Sequence, residues 1–179
     1  MSRITINVIS RISGDKNFFL DILYVTYLLR EKHKLYINVK FIGKIYDYNI
    51  FSMLERFSIL FGISDQVTFT KRSIPIKEIE NSDNDYFLNF SIGNFVGYSG
   101  IESINNNFKT IFYNIDNSIK EVKYKNLISL DNICLKKVFF SIILDKEQFD
   151  KSLDKETNSL IQELTFDEIT RTKLLQLVK

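Results

Sequence analysis

The chain has 179 residues, of which 45% are hydrophobic and 26% are charged, as is usual for a globular domain. Its formal net charge is only +2, and its lysines alternate with acidic residues, so it lacks the basic stripe of a nucleic-acid-binding protein. A single cysteine, Cys134, excludes an intrachain disulfide, and one histidine leaves too few ligands for a structural zinc site. No apolar run reaches the roughly 18 residues of a membrane span. We therefore expect a cytoplasmic protein that needs no metal or other cofactor.

Strand-like and helical segments alternate along the chain with short connections. Runs rich in β-branched and aromatic residues predict strands at residues 3–9, 35–42, 66–70, 85–90, 109–113 and 126–130. Helical spacing of apolar residues predicts helices at 17–32, 48–61, 75–80, 98–106, 131–144, 146–158 and 165–178. This order is typical of βαβ units and predicts an α/β fold, a Rossmann-like parallel sheet of about six strands with helices on both faces. The sheet would occupy about residues 3–130, followed by a helical tail.

Two of the loops that follow predicted strands carry features suited to an anion. Residues 10–17 place Arg11 and Lys16 on either side of a glycine, just before a helix N-terminus, where a diphosphate is favoured. The next loop begins at Gly43, and a glycine at a strand end permits close approach of a ligand to the backbone. Each loop also has a plainer interpretation as a solvated turn.

A third loop follows the fourth predicted strand. Gly93 and Gly97 bracket it, and Glu102 lies one turn beyond Tyr98 in the helix that follows. A carboxylate there can accept hydrogen bonds from both hydroxyls of a ribose, although the segment alone also fits a glycine-rich loop with a surface glutamate. Because ligands of parallel sheets bind at the carboxyl ends of the strands, we expect the three loops to form one site.

Four sequence blocks, in this order, resemble the C-terminal domain of retaining GT-B glycosyltransferases, family 4 in particular. Residues 10–17 (SRISGDKN) keep the arginine, the lysine and the spacing of G-R-x-x-x-x-K-(G/N), and residues 39–43 match the apolar strand that ends in glycine. Residues 61–69 (FGISDQVTF) match L-G-(I/L)-x-D-x-V-x-F. Residues 90–103 (FSIGNFVGYSGIES) keep the serine, the second glycine and the second glutamate of P-S-x-x-E-G-F-G-x-x-x-(L/I)-E-A. The resemblance covers roughly residues 3–116.

The resemblance implies a role for each matching residue. Arg11 and Lys16 would be the catalytic residues, holding the donor pyrophosphate and neutralising charge as the nucleoside diphosphate leaves. Glu102 would bind the ribose. The other implied contacts to the donor nucleotide are Gly43, Arg72, Ser73, Ile74, Phe95, Val96, Gly97 and Tyr98. Asn94 would address the donor sugar.

Three departures from the family pattern accompany the resemblance. Asn94 stands where the family usually has a glutamate, and Asn107 and Lys109 replace a usual glycine and proline. The acceptor-binding domain that the family places before such a domain is not in this sequence, so residues 1–179 are interpreted as one C-terminal-type domain.

The resemblance predicts a hexosyltransferase, of retaining type, from bacterial polysaccharide biosynthesis. Its partners would be a UDP- or GDP-sugar and a separate acceptor-binding domain or subunit, with the full enzyme at the inner face of the membrane and little transfer by this chain alone. Two alternatives stay open. One is a non-catalytic GT-B-like partner or regulatory module, and the other is an unrelated doubly wound nucleotide-binding protein.

Overall fold

A computed structural model describes residues 3–15, 18–93, 95–116 and 120–164 of the chain. The strands are β1 (Ile4–Ile9), β2 (Ile37–Ile42), β3 (Val67–Phe69), β4 (Asp85–Ile92), β5 (Phe95–Val96), β6 (Thr110–Asn114) and β7 (Ile128–Ser129). The helices are α1 (Phe19–His33), α2 (Tyr48–Leu60), α3 (Tyr98–Asn105), α4 (Asn132–Leu144) and α5 (Lys146–Leu164). None of these helices is long and apolar enough to cross a membrane.

The strands form one sheet in the order β3-β2-β1-β4-β6-β7, and all neighbours along this path are parallel. The predicted six-stranded parallel sheet is therefore confirmed. The chain builds outward from β1 to β3, and then returns to place β4 on the other side of β1. This reversal is the topological switch point of a doubly wound sheet, the place where such folds bind ligands.

The structure adds β5, which pairs antiparallel with the end of β4. The sequence predicted only a loop in this region. A two-residue strand between glycines is too short to show a hydrophobic period, because the alternation needs at least four residues to be recognised.

One face of the sheet, called here the first face, carries the main apolar core. The strand register puts Ile6, Val8, Val39 and Phe41 on this face, each at most 1% exposed. Helix α1 covers them, with the ring of Phe19 edge-on to Phe41, and α1 packs in turn against α2 and α4.

The opposite face, called here the second face, is covered mainly by α3. A Cβ atom added to Gly100 would lie 2.3 Å from Cε1 of Phe112, so α3 lies directly on β6. In the same interface the side-chain amide of Asn89 donates a hydrogen bond to Oγ of Ser103 at 3.2 Å. Helical segments therefore lie on both faces, as predicted, but the second face has less cover.

Two predicted helices differ in the structure. The segment predicted at 75–80 is a single 3₁₀ turn, Ile76–Glu78, because only Ile76 and Ile79 of this segment find apolar partners beneath it. Helix α5 extends six residues beyond its predicted end, because Leu160 is buried and continues the apolar side of the helix. The helix predicted at 165–178 lies outside the described residues.

A polar cluster attaches α5 to the sheet. The carboxylate of Asp150 accepts hydrogen bonds from the hydroxyl of Tyr86 at 2.6 Å, from Nζ of Lys109 at 2.9 Å and from Nζ of Lys146 at 3.0 Å. Burial alone would raise the pKa of Asp150, but these donors outweigh it and hold that pKa below its usual value. Lys109, the residue that departs from the family proline, thus has a structural partner.

Replacing Asp150 with asparagine should destabilise the fold and flatten its pH dependence. We expect the free energy of unfolding to fall by about 2 kcal/mol at neutral pH, because two ammonium groups lose their anion. A lowered folded-state pKa contributes stability above the unfolded-state pKa of about 4, and that stability is lost as the pH falls through the folded value. Urea denaturation between about pH 6 and pH 3 measures both effects.

The control is Glu147→Gln, which breaks the exposed pair between Glu147 and Lys151 on the same helix. Such a pair contributes less than about 1 kcal/mol. Equal losses for the two variants would contradict the assigned role of the Asp150 cluster.

Candidate functional site

The loops that follow β1, β2 and β4 lie together at the carboxyl edge of the sheet, as predicted. Strand β1 is hydrogen-bonded to β2 on one side and to β4 on the other. The three loops therefore emerge next to one another, with the loop after β1 in the middle.

The loops after β1 and β2 are joined by backbone hydrogen bonds. The N–H of Ile12 donates to the carbonyl of Lys44 at 3.0 Å, and the carbonyl of Ile12 accepts from Tyr46 at 2.8 Å and from Asp47 at 3.1 Å. The side chain of Ile12 is 1% exposed and is part of the core. This anchoring fixes the backbone on which Arg11 is carried.

Arg11 and Lys44 bring two cations to this joined pair of loops, which also carries Asp15 and Asp47. The guanidinium of Arg11 lies 5.9 Å from the ring centroid of Tyr46, and Nζ of Lys44 lies 5.4 Å from the same centroid. Arg11 also forms an exposed ion pair with Asp15 at 3.3 Å. Lys44 was not among the predicted site residues, although a cation directly after a strand-end glycine is a pattern that the sequence shows.

Gly43 has a structural reason to be a glycine. A Cβ atom at this position would lie 2.1 Å from the carbonyl oxygen of Ser10, a backbone atom that cannot move aside easily. The close approach is therefore between two strand ends of this chain. The predicted contact of Gly43 with a ligand stays a prediction.

The loop after β4 is a short hairpin that leads into α3. Ile92 pairs with Phe95 across it, and both side chains are exposed, whereas Val96 is buried. Gly93 adopts φ +60° and donates its N–H to Oδ1 of Asn114 at 2.7 Å. Asn114, at the end of β6, was missed by the sequence analysis and holds the hairpin turn in place.

The N-terminus of α3 is open. Gly97 is its N-cap residue, no side chain among the described residues caps it, and a Cβ atom there would meet nothing within 4 Å. The first N–H groups of a helix have no partner within the helix and attract anions. Tyr98, the first residue of α3, is 81% exposed.

Glu102 lies one turn further along α3 and is half-buried. Its backbone carbonyl accepts from Asn106, but no described residue pairs with its carboxylate in a hydrogen bond or an ion pair. Residues four apart share one side of a helix, so Glu102 lies on the same side as Tyr98. Its carboxylate is available to accept from a ligand's hydroxyl groups.

The loop after β3 is tied to the same edge. Oγ1 of Thr70 accepts from the N–H of Gly43 at 3.2 Å and donates to the carbonyl of Arg72 at 2.9 Å. Arg72 and Ser73 are exposed, whereas Ile74 is half-buried against the small cluster beneath the 3₁₀ turn. Ile74 therefore has a packing role that competes with its predicted contact to the donor nucleotide.

Two predicted site residues, Lys16 and Asn94, lie outside the described residues. Within the described ranges, no group of three or more His, Cys, Asp or Glu side chains is arranged to hold a metal ion. The described site thus consists of Arg11, Lys44, the N-terminus of α3 and Glu102.

The two site glycines should respond differently to substitution. Gly43→Ala forces a Cβ atom against backbone, so we expect it to lower the free energy of unfolding by about 2 kcal/mol or more. Gly97→Ala places its Cβ in open space at an ordinary φ of −70°, so its cost should stay below about 1 kcal/mol. Urea denaturation measures the free energy of unfolding of both variants. An equal loss in the two would contradict this expectation.

The comparison with protein-family models found no match, and neither did the comparison with curated proteins. Solved structures do match in fold. The C-terminal domain of a glycosyl transferase group 1 family protein, LpcC, from Francisella tularensis matches with a TM-score of 0.60 at 13% identity, covering 89% of this chain and 85% of that domain. HepE from Anabaena, in complex with UDP and glucose, matches with a TM-score of 0.71 at 11% identity, covering 98% of this chain and 48% of HepE.

A glycosyltransferase from Rickettsia africae also matches in fold, with a TM-score of 0.64 at 14% identity and 97% of this chain covered. The chain spans about half the length of HepE and of the Rickettsia protein. Identities this low show the fold and nothing finer. The chain has the fold of the C-terminal half of a GT-B glycosyltransferase.

Proposed function

We propose that this chain is the nucleotide-sugar-binding domain of a glycosyltransferase, and that it binds a nucleoside diphosphate sugar at the carboxyl edge of its sheet. One observation carries the proposal. The adjacent parallel strands β1 and β4 are followed by the loop that carries Arg11 and by the open N-terminus of a helix, and one turn further lies the carboxylate of Glu102, with which no described residue pairs. The three features match diphosphate and ribose, the two constant parts of such a donor.

The diphosphate would lie between the loop after β1 and the start of α3. Arg11 would make charge-assisted hydrogen bonds to the diphosphate. Its exposed ion pair with Asp15 is weak, so Arg11 would exchange Asp15 for the phosphate. Lys44 would add a second positive charge, and the free N–H groups after Gly97 would bind phosphate oxygens. During transfer, Arg11 and Lys16 would neutralise the charge that develops on the leaving diphosphate.

The ribose would bind at Glu102. A carboxylate accepts from two neighbouring hydroxyl groups at once, and such a bond is stronger than one between neutral groups. Binding there would break no bond between this carboxylate and a described residue. The base would then extend toward Arg72 and Ser73.

The donor sugar would lie at the hairpin after β4, where Asn94 is the residue proposed to address its hydroxyls. HepE is structurally similar to this chain and has been crystallised with UDP-glucose, which supports a UDP-sugar as the first donor to test. A hexosyl donor and a retaining reaction follow from the resemblance to family 4. Acceptor binding would come from a second domain or subunit, in bacterial polysaccharide synthesis at the cytoplasmic face of a membrane.

A second candidate function is a GT-B-like module that binds the nucleotide without transfer, as a partner or regulatory subunit. The observation that favours it is Asn94, because an amide carries no charge with which to stabilise a cationic sugar centre. Both functions require nucleotide binding, so the same titration tests them first.

Titration calorimetry with UDP, GDP, UDP-glucose and GDP-mannose tests the proposed site. We expect one of these ligands to bind, and Arg11→Ala or Glu102→Gln to weaken it by about tenfold or more, because each removes a hydrogen bond to a charged group. No binding by any of the four at millimolar concentration would contradict the proposal.

Matched controls lie at the other edge of the sheet. Arg3 precedes β1 and lies 5.7 Å from the ring centroid of Tyr36, much as Arg11 lies against Tyr46. Glu31 is an exposed glutamate near the end of α1. Arg3→Ala and Glu31→Gln should leave the affinity unchanged within about twofold, and losses equal to those at Arg11 and Glu102 would place the effect outside the proposed site.

A further inference from the structure

The hairpin after β4 extends beyond the part of the sheet that supports it on both sides. Strand β1 pairs with β4 as far as Leu88, whereas β4 continues to Ile92. Strand β6 accompanies β4 further, to the pair of Ser91 with Asn114. Within the hairpin, β5 has two residues, and the side chains of Ile92 and Phe95 are exposed. The exposed part of the hairpin thus has little apolar packing, and hydrogen bonds must set its conformation.

The side chain of Asn114 uses both ends of its amide to hold the turn of this hairpin. Asn114 is 3% exposed and is the last residue of β6. Its Oδ1 accepts from the N–H of Gly93 at 2.7 Å, and its Nδ2 donates to the carbonyl of Asp116 at 2.5 Å. An amide matches both partners at once, whereas an ionised carboxylate matches only the first. Because Asn114 is buried, removing its amide would leave both backbone groups unsatisfied, which is costly.

The backbone of Gly93 makes this hydrogen bond important. Gly93 adopts φ +60°, in the left-handed region. Glycine populates this region and the ordinary regions about equally, so its own preference does not hold the turn. The hydrogen bond to Asn114 selects one orientation of this peptide group. Gly93 is followed directly by Asn94, the residue proposed to address the donor sugar.

Other contacts hold the parts of the site that are proposed to bind the nucleotide. Helix α3 lies on β6 through Gly100 and the ring of Phe112, and Nδ2 of Asn89 donates to Oγ of Ser103. Backbone hydrogen bonds anchor the loop after β1 to the loop after β2. None of these contacts involves Asn114. A change at Asn114 should therefore alter the hairpin more than it alters the diphosphate and ribose contacts.

We infer that Asn114 is a positioning residue of the proposed donor site, which sets the affinity for the sugar part of the donor separately from the nucleotide part. The inference rests on the proposed function, because it needs the donor sugar to lie at the hairpin after β4. Asn114 acts through Gly93, since two backbone groups already occupy its own amide. A hairpin held in one conformation loses less freedom when a ligand binds, and this contributes affinity.

Asn114→Leu tests the inference, because it removes both hydrogen bonds from a side chain of similar size. Calorimetric titration compares two pairs of ligands, UDP with UDP-glucose and GDP with GDP-mannose. For the pair that binds, we expect the variant to weaken the nucleotide sugar by about fivefold or more. The affinity for the free nucleotide should stay within about twofold. A merely structural role of Asn114 would weaken both ligands to the same extent.

Three further variants sharpen the test. Asn114→Asp keeps an acceptor for the N–H of Gly93, so it should retain more affinity for the nucleotide sugar than Asn114→Leu does. Asn114→Ser leaves room for water and replaces the leucine variant if that variant does not fold. Asn7→Leu is the matched control at the other end of the sheet, because Asn7 is also 3% exposed and donates a long hydrogen bond of 3.4 Å to Asp85. It should leave both affinities unchanged.

Hydrogen exchange measured by NMR observes the contact without any ligand. The N–H of Gly93 should be protected in the unaltered chain and in Asn114→Asp, and it should exchange faster in Asn114→Leu.

Three results would overturn the inference and leave the proposed function standing. The first is an equal loss of affinity for the nucleotide and the nucleotide sugar. The second is an unchanged affinity for the nucleotide sugar despite faster exchange at Gly93, and the third is unchanged exchange at Gly93 in Asn114→Leu. If none of the four ligands binds to the unaltered chain, the inference and the proposed function are both wrong.

Discussion

The position of β1 between β2 and β4 determines most of what this chain can do. Because β1 is parallel to both neighbours, the loops that follow the three strands must leave the sheet side by side. The chain reverses its direction of growth at this point, so α1 and α3 lie on opposite faces and leave the edge between them accessible. Arg11 and the N-terminus of α3 come together through this pairing, although 85 residues separate Arg11 from Val96 along the chain.

The glycines of this edge and of α3 show that similar sequence features have different physical causes. Gly43 and Gly100 are required by the protein's own packing, against the Ser10 backbone and the Phe112 ring. Gly97 has open space around its missing side chain and an ordinary backbone conformation. Of the three, Gly97 is the glycine whose small size the fold itself does not explain, which fits a ligand approaching the start of α3.

Sequence reasoning recovered the sheet and its helices because their patterns are long and regular. Runs such as residues 35–42 alternate in a way that only a strand satisfies, and the order of strands and helices leaves few topologies. It did not recover β5, which is too short to show a hydrophobic period, or the true end of α5, where Leu160 is buried. It missed Asn114 because the role of this residue depends on Gly93, which lies 21 residues earlier in the hairpin turn after β4.

The site residues were predictable to a smaller extent. The sequence predicted that Arg11 and Glu102 lie at the carboxyl edge of the sheet, and the structure has them there, because the topology fixes the position of a residue just after a strand or one turn into the next helix. It could not show that Gly43 is packed against Ser10 or that Ile74 contributes to a small core. Whether a loop residue faces a ligand or the protein depends on side-chain packing. The spacing of residues along the chain does not reveal this packing.

Helices cover the two faces of the sheet to different extents. Helices α1, α4 and α5 are all joined to the first face, through contacts such as the ring of Phe149 against Tyr86. Among the described residues, α3 and one 3₁₀ turn cover the second face, and the turn reaches just the carboxyl-terminal half of β1 and β2. Where no described helix covers this face, the half-buried side chains of Asn38 and Lys40 alternate with the apolar residues of β2, as a sheet face in contact with water requires. The short connection from β3 to β4 therefore leaves a cavity with a polar lining over the amino-terminal halves of β1, β2 and β3, at the opposite end of the sheet from the loops that carry Arg11 and Lys44.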